Sequence, residues 1–549
     1  MNQPPHPPHR VSVLIVGAGP VGLTAAALLT RSGVEVLLVE RNMSTSDEPK
    51  AISLDDESLR TLKLAGLGPE LDHIIQPGTG TQYHDAEGGL LFRAHVTRPM
   101  RFGHPFKNPF AQPELEAVLK ETVLGRVQAT VRFGTELRTL TQNGRAHQAE
   151  LHDRQTGEHW SCETQFIVAC DGGRSTVREL LMVGMTGRSY DEPWLVVDVS
   201  GDHHRERYGL HFGDPLRPMV VVPGANGRCR YEFRLAPGEG VPGEPPSFEL
   251  IERLLAPQRS IAPDDVERAV VYRFNAVVAD RWRVGPVFLA GDAAHMMPPF
   301  AGQGLNTGLR DVANLGWKLA SVLDGSLADG ALDTYESERR PQAEATVRLS
   351  EQLGQIVFTT SRFRAKLRDR VLHSALRTAP GRRYFEEMRY RPSSRVRSGM
   401  ISGDLPRVGT LIEQPLVFDI GHHRPALLDE VLGTGWSLLG VDVEDDAWAR
   451  CELAPLTRLA PQLVDVGVDE RAPLIAPDRR AISDMDGRLE ELAMSVRGRF
   501  LLIRPDRVIC ADFSPVEAAA VASDIARWQT PDQGTASSRA VTTATAQSD

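Results

Sequence analysis

Cysteine is scarce in this chain: Cys162, Cys170, Cys229, Cys451 and Cys510 are the only five among 549 residues. None forms a C-x-x-C pair or a metal-ligand spacing. A disulfide framework, a zinc site and dithiol chemistry are therefore not expected, and reduced thiols are. Long apolar runs are missing too. No stretch reaches the roughly 18 apolar residues of a membrane span, and the start MNQPPHPPHR lacks the charged-then-apolar layout of a secretory signal. The expectation is a soluble, cytoplasmic protein without stable membrane association. Basic charge is also in short supply: 62 Lys+Arg against 72 Asp+Glu leave a formal charge of −10. Phosphate neutralisation needs clustered basic surface, so no nucleic-acid partner is expected.

What the chain has is length and glycine. At about 150 residues per domain it accommodates three to four folding units. Its 48 glycines and 38 prolines exceed ordinary usage, which points to many turns and ligand-approaching loops. The first readable unit shows where some of the glycine goes. Val11–Val16 (VSVLIV) reads as a strand buried on both faces, followed by Gly17, Gly19 and Gly22 at G-x-G-x-x-G spacing. An Ala/Leu-rich helix, a closing Gly33 and a second buried strand ending at Glu40 complete a βαβ unit. In this arrangement Gly17 permits the tight turn and Gly19 lets backbone N–H groups approach a pyrophosphate. Gly22 lets helix and strand pack closely, and Glu40 would accept from a ribose hydroxyl. Pro20 and Val21 within the turn, and Arg41 after Glu40, count with them as cofactor-contacting positions. The fingerprint alone does not separate NAD from FAD.

Two distant segments make that choice. Phe166–Cys170 (FIVAC) runs into DGGRSTVR, and Val287–Ala290 (VFLA) delivers GDAAHMMPPFAGQGLNTGLRDVANLGWKL. With GAGPVG, these motifs make the chain resemble the FAD-dependent aromatic hydroxylases, the single-component flavoprotein monooxygenases. The resemblance implies that Asp292 bonds the ribityl chain and that the loop Pro298–Asn306, with Gly302, Gly304 and Leu305, meets the isoalloxazine. It ties Asp171 and Gly172 to FAD and nicotinamide use, and it sets Gln112 against the flavin. A carboxylate at the carboxyl end of a strand is a natural acceptor for ribityl hydroxyls, and a glycine-entered helix would stabilise the charge of reduced flavin.

Between the motifs the pattern changes to alternation. In Arg228–Leu235 (RCRYEFRL), Cys229, Tyr231, Phe233 and Leu235 alternate with Arg228, Arg230, Glu232 and Arg234, the mark of a half-solvated strand. By the resemblance this belongs to a substrate domain roofing the flavin, with Arg230 near the ring; His211 and Arg217 are the other candidate catalytic residues. Further on, Phe363, Leu367 and Val371 at i, i+4, i+8 predict an amphipathic helix with a basic, solvated face. The C-terminal part resembles the family's thioredoxin-like extension, and the C-x-x-C that dithiol chemistry needs is missing.

The expected fold class is thus α/β: a Rossmann-like FAD-binding domain, an inserted β-sheet substrate domain and a C-terminal thioredoxin-like domain. The expected division is a flexible start at 1–10, FAD-binding segments at 11–75, 106–185 and 279–345, and substrate segments at 76–105 and 186–278. A helical connector at 346–400, the thioredoxin-like unit at 401–528 and a disordered tail at 529–549 follow. KAISLDDESLRTL, NPFAQP, DTYESERR and RYFEEMRYRP carry a nearer likeness to the branch of 3-(3-hydroxyphenyl)propionate hydroxylases. It implies FAD as cofactor, NAD(P)H as co-substrate, and ortho-hydroxylation of a small phenol by O2 through a flavin C4a-hydroperoxide. No metal is expected, and a homodimer stays open. A tailoring hydroxylase of polycyclic natural products and a non-catalytic FAD-binding scaffold are the alternatives. Two positions depart from the family pattern: Lys50 stands where an arginine is common, losing the bidentate fork toward a pyrophosphate, and Ile52 stands where relatives carry an aspartate.

Overall fold

A computed structural model describes residues 8–530 apart from 79, 96–97, 144–145, 205–206, 451–455 and 468–475. The expectations for Cys451 and for the tail from 531 onward lie outside the described residues. Five parallel strands form the heart of an eight-stranded sheet, in the order Val287–Leu289, His159–Ala169, Arg10–Val16, Val36–Glu40, Ala129–Phe133. Val13, Leu14 and Ile15 are wholly buried, as the continuous apolar run requires of a strand covered on both faces. Helix Pro20–Arg31 packs on this sheet and against helix Gly304–Leu323.

A second, seven-stranded sheet has the order Val266–Tyr272, Trp194–Val199, Cys229–Arg234, Met219–Pro223, Tyr208–Phe212, Gly80–His84, Leu90–Ala94. Its two faces differ. Leu195, Val197, Leu210, Val221, Tyr231 and Phe233 form a core with Leu250, Ile251, Leu254 and Leu255 of helix Phe248–Leu255. Of the four alternate residues expected to face solvent, the middle two are instead buried toward the first sheet, Arg230 at 4% and Glu232 at 5% exposed, while Arg228 and Arg234 stay half-buried. Cys229–Arg234 is a central strand, so its polar face has nowhere to go but the space between the sheets.

The helix Thr334–Val357 runs unbroken through the expected boundary at 345/346. The helix Arg362–Leu376 reverses its expected orientation. Phe363, Leu367 and Val371 are exposed (77%, 51% and 57%), while Ala365, Arg368 and Asp369 are buried. The cause is Arg368, which donates to the carbonyls of Val357 (2.6 Å) and Gly213 (2.9 Å) and pairs with Asp369. Polar docking of one face has overridden the apolar stripe on another. Among the described residues no helix is long and apolar enough to cross a membrane.

A third, seven-stranded sheet occupies the C-terminal part, with Gln462–Gly467 parallel to both Ser437–Val441 and Arg480–Asp484. Buried ions attach it to the rest. Glu338 accepts from Asn314 (2.7 Å) and Arg504 (2.8 Å) and pairs with Lys318 (3.0 Å), joining helices Gly304–Leu323 and Thr334–Val357 to the C-terminal part. Arg60 forks onto Asp429, which also receives Arg507. Burial would raise the Glu338 carboxyl, but Arg504 and Lys318 overcome it and hold the group down at about 2.

Because the folded value is depressed, this carboxylate's contribution is complete above its ordinary value of 4.5 and is lost as pH falls toward 2. Glu338→Ala strands the buried Lys318 and leaves Arg504 with Asp506 alone, and is expected to cost about 3–5 kcal/mol. Denaturant titration at pH 7 checks the cost, and the difference between variant and parent should shrink at pH 3.

Candidate active site

The three glycine-bearing motifs meet where the parallel strands end. Gly17 has φ +102°, and a Cβ there would lie 2.4 Å from the Cys170 carbonyl; one on Gly22 would lie 1.9 Å from the Gly17 carbonyl. Arg178 of the DGGRSTVR string donates to the carbonyls of Gly173 (2.8 Å) and Ala293 (3.0 Å), fastening the second motif to the third. Asp311 then holds the Gly291–Asp292 turn: it accepts from the Gly291 N–H (3.2 Å) and from Arg339 (3.1 Å), and it contacts His295 Nε2 at 2.8 Å.

These contacts rim a cavity of about 900 Å³ between the first two sheets. Of the candidate cofactor residues, Gly17, Gly19, Pro20, Val21, Glu40, Arg41, Lys50, Gln112, Asp171, Gly172, Asp292, Gly302, Gly304 and Leu305 line it. Gly22, Pro298 and Asn306 do not. Gly22 serves helix-to-strand packing. Asn306 is buried, accepting from the Asp55 N–H (3.0 Å) and donating to the carbonyls of Gly302 (2.7 Å) and Ser53 (3.1 Å), so it shapes the loop from behind.

Several details fit a flavin dinucleotide. A Cβ at Gly19, Gly172, Gly302 or Gly304 would meet nothing within 4 Å, so these backbones border open space. Both helices starting at the rim lack a side-chain cap, leaving first-turn N–H groups for an anionic ligand. Glu40 accepts from the Ala18 N–H (2.9 Å), fixing its carboxylate at the edge of the turn. Asp292 makes no hydrogen bond to any described side chain or backbone; it lines the cavity with its surface open to that space. Burial raises its carboxyl, against the opposing pull of His295 and Lys50. An acceptor so placed suits a row of ligand hydroxyls. Asp171, by contrast, accepts from the Val177 N–H (3.1 Å) and caps a short helix, while its other oxygen is buried without a partner.

Gln112 is engaged on both sides, accepting from the Ala51 N–H and donating to Glu116, each at 2.7 Å. It therefore props the 46–51 segment along the rim.

The candidate catalytic residues divide. His211 lines the cavity; burial pushes its pKa down to about 3, so the ring is neutral, and it packs between Tyr83 and Phe358. Arg230 also lines the cavity, but its guanidinium forks onto Asp198 (2.7 and 2.9 Å) and donates to the carbonyls of Lys50 (2.7 Å) and Pro49. It anchors the strand to the rim. Arg217 lies away from the cavity, paired with Glu239. It lies in the bend between strands Tyr208–Phe212 and Met219–Pro223, outside the sheet face that meets the cavity.

Other cavity residues are given no role from the sequence: Tyr83, Lys107, Glu232, Tyr390 and Arg391; Phe300 belongs to the Pro298–Asn306 loop. Lys107 directly precedes NPFAQP, and Tyr390 and Arg391 close RYFEEMRYRP, so the strings that mark the branch were the available signal. Phe300 packs on Trp194 (5.0 Å), Phe358 (4.8 Å) and Phe274 (5.5 Å) between ring centroids, and Gly354 leaves room for its ring. This cluster ties the Pro299–Ala301 turn to the second sheet.

Residues 10–350 match the family described as FAD binding domain, and residues 409–528 match the HcaD C-terminal domain. The chain belongs to the FAD-dependent aromatic hydroxylases and is an enzyme of that class. It is 37% identical over 524 residues to the 3-(3-hydroxy-phenyl)propionate/3-hydroxycinnamic acid hydroxylase of Mycolicibacterium gilvum, covering 91% of this chain and 89% of that one. To the protein of the same name from Comamonas testosteroni it is 33% identical over 580 residues, covering 94% and 96%. The solved structure of the flavin-dependent monooxygenase PieE with FAD and substrate matches at a TM-score of 0.78 and 22% identity, covering 95% of this chain and 99% of that one. Aklavinone-11 hydroxylase with FAD and aklavinone matches at 0.74 and 24%, with the same coverage. At these identities the two structures speak to the fold.

Asp292→Ala removes the unpartnered acceptor and is expected to weaken FAD retention about tenfold or more, the worth of one hydrogen bond to a charged group. Flavin absorbance after gel filtration, with circular dichroism as the folding control, checks this.

Proposed function

We propose that the protein hydroxylates a phenol ortho to its hydroxyl, on a ring bearing a short carboxylated side chain such as 3-(3-hydroxyphenyl)propionate or 3-hydroxycinnamate. NAD(P)H gives two electrons, and O2 gives one oxygen atom to the ring and one to water. The observation that carries the reading is one continuous cavity: glycine backbone and Asp292 line one part, and the aromatic groups Tyr83, His211 and Phe300 line the other. The names of relatives at 33–37% identity support the substrate class. FAD, when bound, supplies the electron transfer and oxygen activation that no side chain here provides.

The chain's own residues hold the ring and exclude water. The Phe300 cluster closes one wall, and the second sheet roofs the space. His211, neutral at any working pH, can accept a hydrogen bond from a phenol without storing its proton. We assign Gly17, Gly19, Glu40, Asp292 and the Gly302–Leu305 backbone to FAD. The finer architecture belongs to the same reading: the second sheet as a substrate domain inserted in the FAD-binding domain, and the C-terminal part as a thioredoxin-like unit without dithiol chemistry.

In purified holoenzyme, 3-(3-hydroxyphenyl)propionate is expected to speed NAD(P)H oxidation by about tenfold or more and to yield a catechol one oxygen atom heavier. If no phenol changes the oxidation rate, the hydroxylase reading fails. Stimulated oxidation that makes only hydrogen peroxide would remove this substrate class.

A further inference from the structure

Two cations face the cavity with no carboxylate bonded to either. Lys107 belongs to the short strand Lys107–Pro109, and its Nζ crosses to the second sheet, where it donates to Thr81 Oγ1 at 3.1 Å. Gly209, the register partner of Thr81, leaves the ammonium its room: a Cβ there would lie 2.7 Å from Nζ. Arg391 lays its guanidinium over Phe106, 4.6 Å from the ring centroid, and has no ion-pair or hydrogen-bond partner among the described residues. The other cations lining this cavity are either matched, as Arg230 is by Asp198, or exposed, as Arg41, Lys50, Arg174 and Arg273 are. Lys107 and Arg391 are neither.

Burial and the nearby Arg391 push Lys107 down to about 8, with Glu232 pulling the other way from beyond ion-pair distance. Burial raises Glu232 in turn, which weakens it as a standing counter-ion. Two like charges half-removed from water are costly unless an anion joins them. Beside them stand aromatic walls of the right kind for a ring: Tyr83, whose hydroxyl lies 3.5 Å from that of Tyr390, and His211 at 5.0 Å from the Tyr83 centroid.

We infer that Lys107 and Arg391 form a carboxylate-binding subsite at one end of the substrate cavity, selecting phenols whose side chain ends in an anion. This rests on the proposed hydroxylation and deepens it. The ammonium and the guanidinium take the carboxylate, the aromatic walls take the ring, and binding of the remote anion orients the hydroxyl-bearing carbon.

The test compares 3-(3-hydroxyphenyl)propionate with neutral 3-propylphenol on holoenzyme, by calorimetric binding and by NAD(P)H oxidation, for the parent, Lys107→Met, Lys107→Arg and Arg391→Gln. The parent should bind the acid about tenfold or more tighter than the neutral phenol, as one charge-assisted pair implies. Lys107→Met and Arg391→Gln should each erase most of that ratio while flavin absorbance per mole is kept, and Lys107→Arg should restore part of it. Equal binding of both phenols by the parent overturns the subsite, as does an unchanged acid-to-neutral ratio in both charge-removing variants. Tight, Lys107-dependent binding of the acid without any hydroxylated product would leave the subsite standing and remove the hydroxylase reading instead.

Discussion

The close approach of backbone to backbone at the carboxyl ends of the parallel strands is the constraint on which the molecule turns. Gly22 lies against Gly17, Gly17 against Cys170, and Gly308 so near Gly291 that an added Cβ would stand 3.0 Å from its Cα. Three segments separated by well over a hundred residues are thereby drawn to one rim. A side chain at any of these positions would wedge the helices off the sheet and open the cavity to water. Close packing has this severity because the interior is dense and the obstructing atoms are main-chain atoms, which cannot rotate aside.

On that rim sits a sheet of divided character. One face is an ordinary apolar core against Phe248–Leu255. The other carries charge, and most of it is matched in place: Arg230 and Arg268 share Asp198. These pairs do not face water, so they hold their geometry. Arg230 reaches through to the Pro49 and Lys50 carbonyls and couples the sheet to the rim. The unmatched charges stand out against this background, since a protein that pairs its buried ions so thoroughly leaves one open where a ligand completes it. The same reasoning separates Asp171, which caps a helix, from Asp292, which has no partner.

Buried ion pairs also attach the C-terminal part. Glu338 and Asp429 each serve two or more cations from different parts of the chain. Such networks contribute modest net stability but are intolerant of losing one member, which makes them strong determinants of how the parts sit together. The exposed Phe363, Leu367 and Val371 stripe shows the converse: Arg368, bonded to main-chain carbonyls, outweighs an apolar periodicity.

The glycine turn, the buried parallel strands, the distant DGG and GDAAH segments and the alternating strand were all legible in the linear chain. Each is a local pattern, in which chemistry and spacing lie within one or two elements. The same holds for the candidacy of Gly17, Gly19, Glu40 and Asp292. What the chain could not disclose are the partners: that Arg230 meets Asp198 and the Lys50 carbonyl, that Gln112 is engaged by Ala51 and Glu116, that Arg217 leaves the cavity, and that Lys107 and Arg391 share an end of it. A side chain's charge and size are written in sequence, but whether it is matched depends on neighbours brought from far away by packing. No periodicity records that, because the free energy of a buried charge is set by the atoms around it and not by its place in the chain.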